Sequence, residues 1–439
     1  FTTQTDGTAH HYDYIIGNPP FVGARLMSEE QKKDVLSIFG NIKSVGNLDY
    51  VACWYYKAAQ LIQGTNTKCA LVSTNSITQG EQVAILWKPL FEQFNIQIDF
   101  AWRTFRWDSE SNQKAHVHCV IVGFKEAKIL SSCERKEEKI SSSHKDCEVG
   151  NFTSMCDVEN VASLYNADGT IVHARNINGY LLDAPNVFIE SRKQKFGDVP
   201  DMAFGSMPND GGNFILSENE KDEFLKIEPE AEKYIRSFLG AEEFINSKKR
   251  YCLWLVGASP AELRKMPQVM KRIENVRKMR SESNRSATQK LADIPHLFGE
   301  IRQPESGDYL LVPRVSSERR QYVPIGFLNS HVIASDAVQI IPNATLYHFG
   351  VLTSSVHMAW MRAVCGRLEM RYRYSKDIVY NNFVWPSETE TDQSKIEQTT
   401  QKILDARALY PDSSLADVYD PLTETPELRK AHTKNDAAS

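Results

Sequence analysis

Through the first 125 residues, apolar positions alternate between short unbroken runs and helical spacing. Tyr14-Ile15-Ile16 is a run that stops at Gly17-Asn18-Pro19-Pro20, which predicts a short strand closed by a turn. From Asp49 to Ile62, Val51, Trp54, Tyr55, Ala58, Ala59 and Ile62 recur at the 3.6-residue period of a half-buried helix, and Gly64 stops it. Cys69–Val72 reads as a buried strand, 79–94 as a helix, and Ile96–Trp102 and Val117–Phe124 as two further strands about a polar turn at 108–114. Strands alternating with helices predict an α/β block with a mainly parallel sheet. From 127 to 151 the chain turns polar and densely charged, predicting a linker or surface insertion.

The second half is mixed. Ser217-x-x-Glu220 predicts a capping box, 231–239 a helix ended by Gly240, and Ser259-Pro260 a helix start. Pro267–Arg280 sets Val269, Ile273 and Val276 on one face, 309–312 and 325–328 read as strands, and 346–364 reads as one helix closed by Gly366. From Ser387 a polar amphipathic helix runs to about Leu409, followed by a tail punctuated by Pro411, Pro421 and Pro426. The resulting division is 1–126, a linker or insertion at 127–185, a mixed α+β block at 186–386, and a helical tail at 387–439.

Composition changes this picture little. The 439 residues are 41% apolar and 24% charged, an ordinary globular balance. No run of about 18 apolar residues suggests a membrane span. The eight cysteines form no Cys-x-x-Cys pair, which fits a reducing cytoplasm and gives a zinc ribbon no support. His116-x-His118 lacks further ligands nearby, so no metal site is expected. Charge is more informative. The chain carries a net −5, yet 248–330 holds sixteen Lys/Arg against eight Asp/Glu, and 361–376 holds five against one. A local basic surface of this kind suits phosphate neutralisation. On the helix from Pro267, Lys271, Arg272 and Lys278 are candidates for phosphates. Arg302, Arg314, Arg319, Arg320, Arg367, Arg371 and Arg373 are candidates for phosphates or for guanine edges. Ion pairs within the fold are the alternative for at least half of them. Gln303, Asn329 and Ser335 are further candidates for base edges.

The segment richest in chemistry is Asn18-Pro19-Pro20-Phe21 at the carboxyl end of the first strand, where open α/β sheets bind ligands. An exocyclic amine is a weak nucleophile because its lone pair is delocalised into the ring. Two acceptors aimed at its N–H groups draw it toward sp³ character. The Asn18 amide oxygen and the Pro19 carbonyl can supply both, the prolines fix the backbone direction, and Phe21 offers a face for a base taken out of the stack. A Pro-Pro turn that merely ends a strand is the alternative.

The neighbouring strings extend this pattern. Gly46-Asn47-Leu48-Asp49-Tyr50, Leu71–Gln79, and Phe105-Arg106-Trp107 followed by Ala115–Phe124 resemble successive motifs of gamma-group adenine-N6 DNA methyltransferases. Further on come Pro208-Asn209-Asp210-Gly211-Gly212, 238–245, 312–320, 346–352, Cys365-Gly366-Arg367-Leu368 and Tyr372-Arg373-Tyr374-Ser375. Together they resemble the target-recognition domain of MmeI-like single-chain restriction–modification enzymes. The resemblance implies a partial Rossmann-like methyltransferase sheet followed by a mixed α+β recognition domain and a helical tail. It implies methyl transfer from S-adenosylmethionine to a flipped adenine in double-stranded DNA, with Asn18, Pro19, Pro20 and Phe21 catalytic and Phe105 or Trp107 walling the base pocket. In that family a glycine-rich cofactor-binding half and a nuclease module precede the Asn-Pro-Pro-Phe strand, whereas only 17 residues precede Asn18. The chain, which opens on Phe, is therefore expected to be a fragment. It would rely on the missing portions for S-adenosylmethionine and would neither methylate nor cut alone. Two rival readings remain: a non-catalytic DNA-binding specificity module, and an RNA or protein N-methyltransferase. The large Arg-rich second block weighs against the latter.

Overall fold

The computed structural model describes residues 12–108, 116–127, 161–387 and 389–439. The chain divides into two units, 1–191 and 192–439. The predicted turn after Asp108 and most of the charged 127–151 segment lie outside the described residues.

In the first unit, β1 (Tyr14–Gly17), β2 (Lys68–Thr74), β3 (Ile96–Asp108), β4 (His116–Glu126), β5 (Ala162–Tyr165) and β6 (Ile171–Ala174) form one sheet in the order β1-β2-β4-β3-β5-β6. Only β1/β2 and β3/β5 are parallel; β2/β4, β3/β4 and β5/β6 are antiparallel. The mainly parallel sheet expected from the alternation is thus corrected to a mixed one. The reason is local: β3 ends at Asp108 and β4 starts at His116, a separation too short for the crossover a parallel pair needs, so the two pair antiparallel. Part of the expected linker is corrected too, because 162–174 forms a β-hairpin that extends the sheet beside β3.

Helices α1 (Glu29–Phe39), α2 (Ala52–Leu61) and α3 (Gly80–Glu92) supply the other layer. Ser28 and Gln31 close a capping box that starts α1. Helix α3 buries Val83, Leu86, Trp87 and Leu90, and the Trp87 indole N–H donates to the Ile77 carbonyl at 2.8 Å. These residues join Tyr55, Leu71, Val120, Val122 and Phe124 in one core. At ~25 cal/mol per Å² of apolar area removed from water, such burial is the main force holding the helices to the sheet.

The second unit contains three small sheets. Its strands are β7 (Ala203–Phe204), β8 (Ile215–Leu216), β9 (Ile235–Leu239), β10 (Tyr251–Leu253), β11 (Asp308–Pro313) and β12 (Val315–Ser316). They continue with β13 (Gly326–Asn329), β14 (Ile333–Ala334), β15 (Val338–Pro342), β16 (Gly366–Leu368) and β17 (Arg371–Arg373). The sheet orders are β14-β9-β10-β8, β13-β11-β15-β7 and β12-β17-β16. Two expectations are corrected. Residues 231–239 are not a helix: a 3₁₀ segment, Pro229–Tyr234, leads into β9, which is sandwiched between β10 and β14. The i, i+3, i+7 spacing of Ala231, Tyr234 and Phe238 is helical, but pairing of β9 with β10 and β14 overrides it. Residues 346–364 are two helices, because Ser354 accepts a bond from the His357 amide and so caps a new one.

The longer helices here are α4 (Glu218–Ile227), α5 (Pro267–Ser281), α6 (Leu346–Leu352), α7 (Ser355–Val364), α8 (Glu390–Ala408) and α9 (Pro426–Asp436). The Ser217 box caps α4, and α5 buries Val269, Ile273 and Val276 as the spacing predicts. Helix α8 packs on α6 and α9. At that crossing a Cβ on Gly350 would sit 2.3 Å from the Thr400 hydroxyl, so only glycine permits the approach. No helix among the described residues is long and apolar enough to cross a membrane.

Candidate functional site

β1 ends at Gly17, opposite Leu71, and hands the chain to Asn18-Pro19-Pro20-Phe21. Pro19 is buried, Asn18 is exposed, and Phe21 is half-buried against the core. The Asn18 side chain has no hydrogen-bond partner among the described residues, so its amide oxygen stands open to an incoming donor.

The following loop is fastened by a residue whose role the sequence did not disclose. The Asp49 carboxylate accepts the Ala24 amide at 3.1 Å, the Thr74 hydroxyl at 3.3 Å and the Ser76 hydroxyl. It therefore ties the stretch just past Phe21 to the end of β2 and to the turn after it. The Tyr50 amide adds a bond to the Val22 carbonyl at 2.9 Å. The Tyr50 hydroxyl donates to Asp34 at 2.7 Å, a bond that pushes its pKa up to about 12 and keeps it protonated. The sequence signal for this latch was the Asn47-Leu48-Asp49-Tyr50 string. Its meaning required knowing that Ala24, Asp49, Thr74 and Ser76 meet.

The register of the sheet brings the aromatic candidates to the same end. Thr74, the last residue of β2, pairs with Cys119 of β4, and Cys119 pairs with Phe105 of β3. Trp107, opposite Val117, therefore lies beyond the carboxyl end of β2, at the end where the Asn18–Phe21 loop leaves β1. Phe105 and Trp107 belong to a longer row than expected: ring centroids lie 6.1 Å apart for Phe105–Trp107, 6.5 Å for Trp102–Phe105 and 5.2 Å for Trp102 stacked on Tyr165. Trp107 is 45% exposed, enough to offer a ring face.

The basic candidates of the second unit separate by their contacts. Arg272 donates to the Asn213 carbonyl at 2.6 Å, Arg302 to the Gly205 carbonyl at 3.2 Å and to Glu300, Arg314 to the Asp336 carbonyl at 2.8 Å, and Arg367 to the Met370 carbonyl at 3.1 Å. These four brace the fold. Arg319 and Arg371 form exposed ion pairs with Asp420 and Glu369. The side chains of Lys271, Lys278, Arg320 and Arg373 have no hydrogen-bond partner among the described residues. On β17, Arg371 and Arg373 are exposed while Tyr372 between them is buried. Gln303 and Ser335 are occupied structurally: Gln303 bonds the Ser330 and Val332 carbonyls and the Ala334 amide, and Ser335 is buried.

Sequence reasoning passed over Arg280, which is fully buried. Its guanidinium donates to five carbonyls at 2.8–3.2 Å, those of Pro208, Asn209, Leu291, Ile294 and Leu297. It knots two stretches, 208–209 and 291–297, to α5 and serves the fold. His357 is likewise a packed histidine, bonded through Nε2 to the Tyr374 hydroxyl at 2.9 Å, and burial lowers its pKa to about 3. Among the described residues no group of three His, Cys, Asp or Glu side chains is placed to hold a metal ion.

Three family descriptions match the chain: the MmeI DNA-methyltransferase domain over 2–136, the MmeI target recognition domain over 183–387 and the MmeI C-terminal domain over 388–439. DNA methyltransferase A of Bacillus subtilis (strain 168) is 37% identical over 424 residues, 96% of this chain and 44% of that protein. A solved structure of the type IIL restriction-modification enzyme MmeI in complex with DNA superimposes with a TM-score of 0.86 at 44% identity, covering 97% of this chain and 53% of the other. The chain thus spans about half the length of these relatives.

Proposed function

The chain belongs to the MmeI family, with that family's DNA-methyltransferase, target recognition and C-terminal domains, and on that footing we propose that it is the acceptor-binding half and specificity unit of a site-specific adenine-N6 DNA methyltransferase. The observation that carries this reading is the convergence at one end of the first unit's sheet: an exposed Asn18 beside a buried Pro19, an Asp49 latch behind them, and the Phe105–Trp107 row at the same end. Asn18 Oδ1 and the Pro19 carbonyl accept the two N–H bonds of an everted adenine amine and localise its lone pair. Phe21 and one of Phe105 or Trp107 flank the ring; stacking of a base on an aromatic side chain is worth ~1–3 kcal/mol.

The activated methyl group would come from S-adenosylmethionine. No Gly-x-Gly turn occurs anywhere in the sequence, so these residues fit the acceptor side and offer the donor no cradle of their own. The outer edge of β1 has no partner strand among the described residues, and Tyr14 and Ile16 on it are 66% and 80% exposed. A cofactor-binding half could pair there. In the second unit, Lys271, Lys278, Arg371 and Arg373 are the exposed cations offered to double-stranded DNA.

The test is nucleoside mass spectrometry on DNA from cells with and without the gene. N6-methyladenine confined to one sequence context, and lost with the gene, is expected. A methyl group on cytosine N4, or no change, would overturn the proposal.

A further inference from the structure

In the second unit, the segment after β12, helix α7 and the loop leading into α9 enclose a cavity of about 390 Å³. Four arginines line it: Arg319, Arg320, Arg362 and Arg429. Three are engaged. Arg429 Nε donates to Glu424 at 2.9 Å, Arg362 Nη2 donates to the Gln321 carbonyl, and Arg319 Nη2 lies 3.8 Å from Asp420. Arg320 lies in the field of Asp420 but makes no bond: its Nε is buried without an acceptor, and no other bond from its guanidinium occurs among the described residues. The nearby carboxylates are Glu318 and Glu424 on the wall and Asp420 just outside it. A further acid, Asp436, is taken by the Tyr322 hydroxyl at 2.6 Å and the Ser355 amide at 2.7 Å. Four cations thus face three carboxylates, with Asp420 shared between Arg319 and Arg320, so the cavity keeps a net positive charge and its half-buried Arg320 keeps an open donor.

A buried guanidinium N–H without an acceptor costs free energy unless something fills the place. The chemistry that fills it best is a tetrahedral oxyanion, which accepts paired N–H bonds from a planar fork. We propose that this cavity is a phosphate-binding site in which Arg320 and Arg362 grip the oxyanion. The phosphate is either a DNA backbone phosphodiester, in which case the pocket anchors the recognition unit on the duplex and rests on the function proposed above, or a free phosphate.

The full chain and its Arg320→Met variant separate these sources. In the first arm, duplex affinity is measured against salt concentration. A backbone phosphate in the pocket makes the slope of log K against log salt shallower by about 0.9 in the variant, with binding weakened alike on every sequence. In the second arm, inorganic phosphate replaces chloride at equal ionic strength during thermal unfolding. A free-phosphate site raises the wild-type midpoint more than the variant's and leaves the DNA slope unchanged. Phosphate that raises both midpoints equally, together with unchanged slopes, refutes the site, since exclusion of the anion from the surface stabilises any protein. Should Arg320→Met fail to fold, Arg362→Gln carries both readouts. A wild-type chain that ignores DNA but responds to phosphate through Arg320 would sink the proposed function and leave the pocket standing.

Discussion

Replacing Asp49 by Ala removes the carboxylate that holds the loop past Phe21. Three bonds are lost on paper: from the Ala24 amide at 3.1 Å, from the Thr74 hydroxyl at 3.3 Å and from the Ser76 hydroxyl. They are not equal. The Thr74 and Ser76 hydroxyls lie 2.8 Å apart and satisfy each other once the carboxylate is gone. The Ala24 amide has no second acceptor in the described structure, so it bears most of the loss. A hydrogen bond to a charged group is worth ~1.5–3 kcal/mol. Asp49 is only half-buried, so returning water recovers part of that, leaving ~1–2 kcal/mol. At ~1.4 kcal/mol per factor of ten, local opening of the loop should become roughly 5- to 30-fold more frequent. Amide hydrogen exchange on the peptide containing Ala24 reads this directly. Protection should fall by that factor in Asp49→Ala, by less in Asp49→Asn, which keeps one acceptor oxygen, and not at all in Thr74→Val. Exchange within twofold of wild type in Asp49→Ala would refute the latch. In a protein competent for methyl transfer, the same variant should lower kcat and leave DNA affinity unchanged.

Arg280→Met strands five carbonyls in the second unit. A buried polar group left unpaired costs ~1–3 kcal/mol, so a loss of at least ~4 kcal/mol is expected, roughly 8–16 °C in the unfolding midpoint; an unchanged midpoint would remove Arg280 from its structural role. Arg280→Lys should rescue only part, because an ammonium has three donors and no planar fork. Acid should weaken the second unit through His357 and His432, both lowered to about 3 by burial. Their folded pKa lies below the unfolded value, so the stabilisation is complete above ~6.5 and is lost as pH falls from there toward 3. Between pH 7.5 and 5.5 the pair should lose about 3 kcal/mol, roughly 5–10 °C in the midpoint. A flat midpoint over that range would contradict it, and His357→Gln should remove about half of the dependence.

Much of the first unit was legible because its signals are local. The run Tyr14–Ile16 stops at a Gly-Asn-Pro-Pro turn, and α2 and α3 carry clean apolar faces. The polar turn at 108–114 signalled the reversal of β4 against β3, but β5 inserting parallel beside β3 was not legible, since that pairing joins residues some 60 positions apart. In the second unit the short β9 looked helical because Ala231, Tyr234 and Phe238 recur at helical spacing, and one of the strands that override it, β14, lies far along the chain. The Asn18–Phe21 loop was visible as a string. Its latch was not, because Asp49 acts on residues 25 positions to either side. Charge counting found the basic half of the chain, but Arg280 and Arg373 look alike in sequence: one is sealed under five carbonyls and the other stands exposed on β17.

The most direct test of the account is methyl transfer by the Asn18→Ala variant in the intact protein, with incorporation into DNA adenine and duplex affinity measured on the same preparation. The account predicts that N6-methyladenine disappears while affinity stays within about twofold, because Asn18 polarises the amine and the recognition unit does the binding. Adenine methylation persisting at the wild-type rate, with Asn18 reduced to a methyl group, would contradict it.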